Sequence, residues 1–225
     1  MNKGSRMFHL TLKNNFIQMK HIFLFLFLFA YSSVLFSQNK VLFEIGQQNG
    51  SASEFALYPN HYDSFLAGFG GEKFYHVGFS TPDKHWPYVL PGPLDNWAGG
   101  GYWAGYHPRH FPSVVFSVGQ TTERGTCTLS LIFVGVNNEK PVKIRVEVNG
   151  HRFEEEVIGK DNKALLQGDV TAGTQKEIRV EFPAFWLNKG MNRIQLGAIA
   201  GSCQYSIASA WKHRRLSPWK KHLPH

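Results

Sequence analysis

Residues 142–157 read VKIRVEVNGHRFEEEV, and no other stretch of the chain restricts the fold as tightly. From Val142 to Val148, valine and isoleucine alternate strictly with Lys143, Arg145 and Glu147. This is the period-two pattern of a strand with one face buried and the other in water. Asn149-Gly150 follows at once, and residues 151–157 begin a second extended run. Both central residues of a two-residue hairpin turn need positive φ, which Asn and Gly adopt at least cost, so two antiparallel neighbours joined by a tight turn are predicted. Nearly every other periodic segment has the same character: 41–45 (VLFEI), 74–78 (FYHVG), 111–118 (FPSVVFSV), 126–135 (TCTLSLIFVG), 176–182 (KEIRVEF) and 193–199 (RIQLGAI). Residues 183–190 (PAFWLNKG) read as one helical turn stopped by Gly190, and helix is otherwise nearly absent apart from a short turn near 62–66. Short alternating strands bury one face each by stacking two sheets. The expected fold is therefore all-β, an antiparallel β-sandwich of jelly-roll type over residues 38–202.

The ends of the chain differ from this body. Residues 22–36 (IFLFLFLFAYSSVLF) form an uncharged apolar run, with Lys20 before it and Ser37-Gln38-Asn39 after it. A basic flank, an apolar core and a small residue at its end compose a secretory signal peptide. The run is shorter than the roughly 20 residues that span a bilayer. Residues 1–37 are thus expected to be a signal peptide, with Met19 an alternative start. Cleavage after Ser37 would leave no stable membrane span and a protein that is secreted, periplasmic or held at the cell surface. The formal charge of +8 is likewise a property of the ends. Residues 1–37 carry Lys3, Arg6, Lys13 and Lys20, residues 203–225 carry Lys212, Arg214, Arg215, Lys220 and Lys221, and neither segment holds an acid. Between Gln38 and Ser202 there are 15 basic and 16 acidic residues, so the body offers no basic patch of the kind that neutralises phosphates, and nucleic acid is not an expected partner.

Residues 86–110 (WPYVLPGPLDNWAGGGYWAGYHPRH) interrupt the strand pattern. They hold three of the six tryptophans together with Tyr88, Tyr102 and Tyr106, four prolines and a glycine run. A connection this long is uncommon inside a compact domain unless it is functional or disordered, and aromatics are scarce in disorder. Prolines stiffen such a loop and glycines let it turn, so its rings are held in place. Fixed flat rings suit a sugar, whose C–H face stacks on them while nearby polar side chains bond its hydroxyls. The candidate carbohydrate-binding residues are Trp86, Tyr88, Trp97, Trp103, Tyr106, His107 and Arg109. The alternative is that these aromatics cap an open end of the sandwich.

Other site chemistry is sparse. The chain has no H-E-x-x-H, G-x-S-x-G or phosphate-loop motif, and no pair of carboxylates placed for acid–base work. His107 and His110 are three apart with no evident third ligand for zinc. Glu54 and Asp95 are candidates for a structural calcium site; otherwise no cofactor is implied. Of the two cysteines, Cys127 lies in an apolar run where a buried thiol fits, and a Cys127–Cys203 bond is the alternative in an oxidising compartment.

The opening FEIGQQNGSASEFAL (43–57), the segment HWPYVLPGPLDNW (85–97) and the close LNKGMNRIQL (187–196) resemble the carbohydrate-binding-like third domain of polysaccharide lyase family 4, the rhamnogalacturonan lyases and their relatives in Bacteroidetes. The resemblance covers residues 41–202. It implies a jelly roll, an exported pectin-degrading context, and a role in holding pectic polysaccharide or another plant glycan or in packing against a catalytic domain. In such lyases the elimination chemistry belongs to that separate domain, so no catalytic residue is carried over and the chain is not expected to be an enzyme alone. A structural spacer and a fragment of an active lyase are the alternatives. The chain departs from the resemblance after Ser202, where such modules run into a final strand. CQYSIASAWKHRRLSPWKKHLPH neither alternates cleanly nor contains an acid, which suggests a frameshift or truncated gene rather than a genuine basic tail. A missing last strand would leave its neighbours with an unpaired edge.

Overall fold

The pattern read from Val142 onwards appears directly in the backbone. A computed structural model describes residues 40–58, 61–107, 109–120, 125–137, 139–159, 163–202 and 207–214; for Lys40, Lys163, Leu166 and 207–214 the description is of backbone only. The expected signal peptide, Cys203 and residues 215–225 lie outside this set. Nine strands are described: β1 (Lys40–Ile45), β2 (Phe74–His76), β3 (Ser113–Val118), β4 (Thr126–Phe133), β5 (Val142–Val148), β6 (His151–Val157), β7 (Lys176–Pro183), β8 (Gly190–Ala200) and β9 (Ile207–Arg214). They form a four-stranded sheet in the order β1-β9-β4-β7 and a five-stranded sheet in the order β2-β3-β8-β5-β6. Two short helices, α1 (Phe65–Phe69) and α2 (Lys163–Leu166), and several single 3-10 turns lie in the connections.

Each sheet turns one face inward. Along β5 the valines and isoleucine are buried and the charged residues are not. Ile178, Val180 and Phe182 of β7, and Ile194, Leu196 and Ala198 of β8, repeat that alternation from both sheets into one core. Cys127 of β4 is part of it, and burial pushes its thiol up to about 11. On the outer face Glu154 of β6 pairs across the strands with Lys143 at 2.7 Å and Arg145 at 3.0 Å. These are solvated pairs, screened by water, and they contribute little to stability.

The β5–β6 turn has φ of +47° at Asn149 and +92° at Gly150, the conformation expected of a tight hairpin. Its register is fixed by more than the turn. The Asn149 side chain donates from Nδ2 to the Trp186 carbonyl (2.7 Å) and to Asn192 Oδ1 (2.8 Å), and its Oδ1 accepts from the Arg193 N–H (2.9 Å). Asn192, almost wholly buried in β8, also accepts from the Asn188 N–H (2.7 Å) and donates to the carbonyls of Asn188 (2.8 Å) and Gly190 (3.0 Å). Every donor and acceptor of this buried amide is therefore used, as the low dielectric of a core demands.

Two features differ from the sequence expectation. β2 and β3 run parallel, with Phe74 opposite Ser113, so the sandwich is not purely antiparallel. The long connection between them, residues 77–112, allows this, because parallel neighbours need a crossover of a dozen residues or more. The second difference is β9. No strand was expected after Ser202, yet Ile207–Arg214 pairs with β1 on one side and with β4 on the other, from Phe133 opposite Ile207 to Thr126 opposite Arg214. The edge expected to stand open is occupied, and β9 is an inner strand of its sheet. Strand propensity is set largely by context, and a slot between two existing strands supplies backbone partners on both sides.

Replacing Asn192 with alanine is expected to destabilise the domain by about 3 kcal/mol, since several buried groups lose partners at about 1–3 kcal/mol each. In urea unfolding the midpoint should fall while the slope stays unchanged. An unchanged midpoint would show that water replaces the amide freely.

Candidate functional site

Strand direction places the long aromatic connection at one end of the sandwich, the end at which β4, β6 and β8 finish. The segment Trp86 to Leu90 is an unbroken buried run. Trp86 donates its indole N–H to the Val89 carbonyl (3.0 Å) and meets Tyr75 and Tyr88 edge-on. The Tyr88 hydroxyl pairs with that of Tyr75 at 2.9 Å, and the residue sits at φ +61° between Phe55, Tyr75 and Trp86. Burial and this phenol pairing both push the Tyr88 pKa well above its ordinary value. Trp86 and Tyr88 thus form the floor beneath the loop, with their rings covered.

The next turn anchors the loop. Asp95, buried, accepts hydrogen bonds from the Gly92 N–H (2.6 Å) and from the Ser202 hydroxyl. The Leu94 N–H reaches the Gly201 carbonyl at 3.2 Å. Gly92 is required here, because any Cβ would be driven into the backbone of Gly201. Trp97 is half-buried, 5.3 Å from the Tyr62 ring and edge-on to Phe65 at 5.5 Å. With Leu57, Phe65, Phe69 and Ala98 it makes a small second core. His110 closes that core: Nε2–H donates to the Ala98 carbonyl (2.7 Å) and the ring stands edge-on to Phe65 at 4.8 Å.

Beyond Ala98 the chain reverses tightly. Gly101 has φ of +84°, and a Cβ there would collide with the Asn96 amide. Its N–H donates to the Pro93 carbonyl at 2.6 Å, and its carbonyl accepts from Tyr106 at 3.1 Å. The 3-10 turn Tyr102–Ala104 sits on this base and carries the loop's outermost rings. Trp103 is 95% exposed, Tyr102 72% and Tyr106 50%. Tyr102 is the hub, in edge-to-face contact with Trp103 (5.5 Å) and Tyr106 (6.3 Å). Exposed aromatics gathered on a braced loop are uncommon on a monomer surface and mark interaction sites. His107 lies exposed against Gly105, and Arg109, also exposed, runs beside Gly99.

The seven sequence-predicted residues therefore separate. Trp103 and Tyr106 share one exposed cluster, with His107 and Arg109 farther along the same loop. Trp97 is half-buried, and Trp86 and Tyr88 lie in the core. Tyr102 was missed, although its position between the glycine run and Trp103 was a usable signal. His110 is turned inward and buried against Phe65, whereas His107 is exposed. Glu54 accepts from the Gln47 N–H (2.9 Å), a different partner set from that of Asp95. Among the described residues, no three of His, Cys, Asp or Glu converge.

These features define a β-sandwich that presents an aromatic platform on one end. Residues 41–222 match the family described as CBM-like, polysaccharide lyase family 4, domain III, and the chain belongs to that family. No curated protein matches the chain. Among solved structures it is similar to a family 35 carbohydrate-binding module from an environmental isolate, at 20% identity over 47% of this chain and 72% of that one, with a TM-score of 0.30. A family 35 module from Clostridium thermocellum gives 14% identity over 57% and 74%, with a TM-score of 0.32. PorU from Porphyromonas gingivalis gives 15% over 47% of this chain but only 10% of its own, with a TM-score of 0.31. Among the described residues, no helix is long and apolar enough to cross a membrane.

The state of His110 has a measurable consequence. Burial pushes its pKa below the ordinary value, against the opposing effect of the Ala98 bond, and Nδ1 has no partner to receive a second proton. The unfolded chain therefore binds that proton first, and stability falls as pH drops through about 6.5 toward the lower folded pKa. The loss of stability between pH 7 and pH 5, followed by urea midpoints, should be smaller in His110→Gln than in the parent. Equal losses would refute the assignment.

Proposed function

We propose that this chain is the glycan-binding module of an exported polysaccharide-degrading protein, with a jelly-roll sandwich that holds pectic polysaccharide on the Tyr102–Trp103–Tyr106 platform. The observation that carries this reading is the mismatch between a deeply anchored loop and an almost fully exposed Trp103. Ordering a large apolar ring in water has no folding benefit, so its benefit is sought in a ligand. A pyranose offers a flat C–H face to such rings, and Arg109 and His107 stand on the same loop as donors for hydroxyl or carboxylate oxygens. Family membership supports the sugar-binding reading, and it supports a catalytic partner domain elsewhere in a longer parent protein. Secretion rests on the composition of residues 1–37.

The probe is Trp103→Ala, because Trp97 also supports the small core while Trp103 touches little. In affinity gels containing rhamnogalacturonan or homogalacturonan, the full chain should be retarded. The variant should bind roughly 30-fold more weakly, the counterpart of about 2 kcal/mol for a central aromatic anchor. Its urea midpoint should match the parent's. Free migration of the folded parent in every pectic gel would refute the reading and favour an interface to a neighbouring domain.

A further inference from the structure

A second concavity opens at the same end of the sandwich, on a different set of loops. Its volume is about 190 Å³. Val136, Ile158 and Gly159 form one side, where the chain leaves β4 and β6, and Thr174, Gln175 and Lys176 form the other, where it enters β7. Within the first side the two connections are set close by glycine: a Cβ on Gly159 would collide with the Val136 carbonyl.

The lining combines two kinds of surface. Ile158 is 58% exposed, an apolar side chain left in water at the rim. Opposite it, among the described residues, Thr174, Gln175 and Lys176 have no side-chain hydrogen bond or ion pair, and the loop backbone from Thr174 to Gln175 makes no bond to another loop. Most charged side chains of the neighbouring strands are otherwise engaged: Arg179 with Glu177, Arg145 and Lys143 with Glu154, Arg152 with Glu147. Among the described residues of β4 to β7, Lys176 is the cation with no ion pair, and it stands at the pocket.

Size narrows the ligand. A cavity of about 150 Å³ holds one benzene ring, and pockets for drug-sized molecules begin near 300 Å³. The intermediate volume suits one six-membered ring bearing polar substituents. An apolar wall opposite unpaired hydroxyl, amide and backbone groups suits a ring with one C–H face and several hydroxyls, and the free ammonium suits an anionic substituent.

We propose that this pocket is a second binding site, which takes a single acidic pyranose unit, a hexuronate. The C–H face rests on Ile158 and Val136, the carboxylate meets Lys176 Nζ, and Thr174 and Gln175 bond the hydroxyls. The site is distinct from the aromatic platform, and its ligand is one sugar unit rather than a polymer surface. It rests on the glycan-binding reading only for the class of molecule it meets.

The test is titration of the full chain with galacturonate and glucuronate, with neutral galactose as control, followed by amide NMR shifts. Saturable shifts at 158–159 and 174–176 with a uronate, at least tenfold weaker with galactose, are expected. Lys176→Met should weaken uronate binding at least tenfold, and Trp103→Ala should leave it unchanged. Shifts absent from these loops, or uronate binding indifferent to Lys176→Met, would overturn the proposal. Retardation by pectin that depends on Trp103 would still stand in that case, so the two readings fail separately.

Discussion

The buried carboxylate of Asp95 holds the aromatic loop to the sandwich. It reaches from the loop's Gly92 to Ser202, just past the end of β8, and so ties a connection of more than twenty residues to the exit of a core strand. That tie acts with the Leu94–Gly201 bond and the packing of Trp86, Tyr88 and Trp97 against roughly 1–2 kcal/mol of backbone entropy per ordered residue. With it, the chain on either side of Asp95 is fixed, and the turns that follow stack upon it: Ala98 and Gly100 both donate their N–H groups to the Asp95 carbonyl. The close approach of Gly92 to Gly201 is what brings the carboxylate within reach. Sequence, local turn and candidate site are therefore linked through one buried residue.

The division of labour among the loop's aromatics follows from this tie. Rings before Asp95 fall below it and fill space: Trp86 and Tyr88 complete the main core at the open end of the two sheets. Trp97, just after it, turns inward and joins α1 in the small second core. The largely exposed rings of the loop, Tyr102, Trp103 and Tyr106, all lie beyond the glycine reversal at Gly101. Position relative to the anchor and the glycine reversal thus separates the buried Trp86 and Tyr88 from the exposed Tyr102, Trp103 and Tyr106.

Much of the fold was legible because its signal is local. Alternation in β5, β7 and β8 and the Asn149-Gly150 turn are set within a few residues, and they appear where expected. The Gly-x-Asn of Gly190 and Asn192 was readable as a recurring close to such domains, but its reason, a saturated amide joining β8 to the hairpin, needs residues more than forty positions apart. β9 was illegible for a related reason. IASAWKHR is a weak strand in isolation, and what makes it one is the vacancy between β1 and β4. The parallel placement of β2 depends likewise on the path of the long connection, which no periodicity encodes.

The site was legible as a stretch but not as a set of residues. Composition identified 86–110 correctly as unusual, yet composition assigns every ring in it the same role. A finer criterion was present in the sequence. WPYVL is a continuous apolar run, whereas GGGYWAGY surrounds its rings with glycine, which has no side chain to cover them. Rings flanked by apolar neighbours have partners to pack against; rings flanked by glycine do not, and they remain exposed when the loop folds. The same criterion separates Tyr102, which is exposed, from Trp86 and Tyr88, which are buried. The proposed uronate pocket had no such local signal: Ile158 follows β6 and Val136 follows β4, while Thr174 and Lys176 lie at the entry to β7, and only the convergence of these strands at one end of the sandwich brings them together.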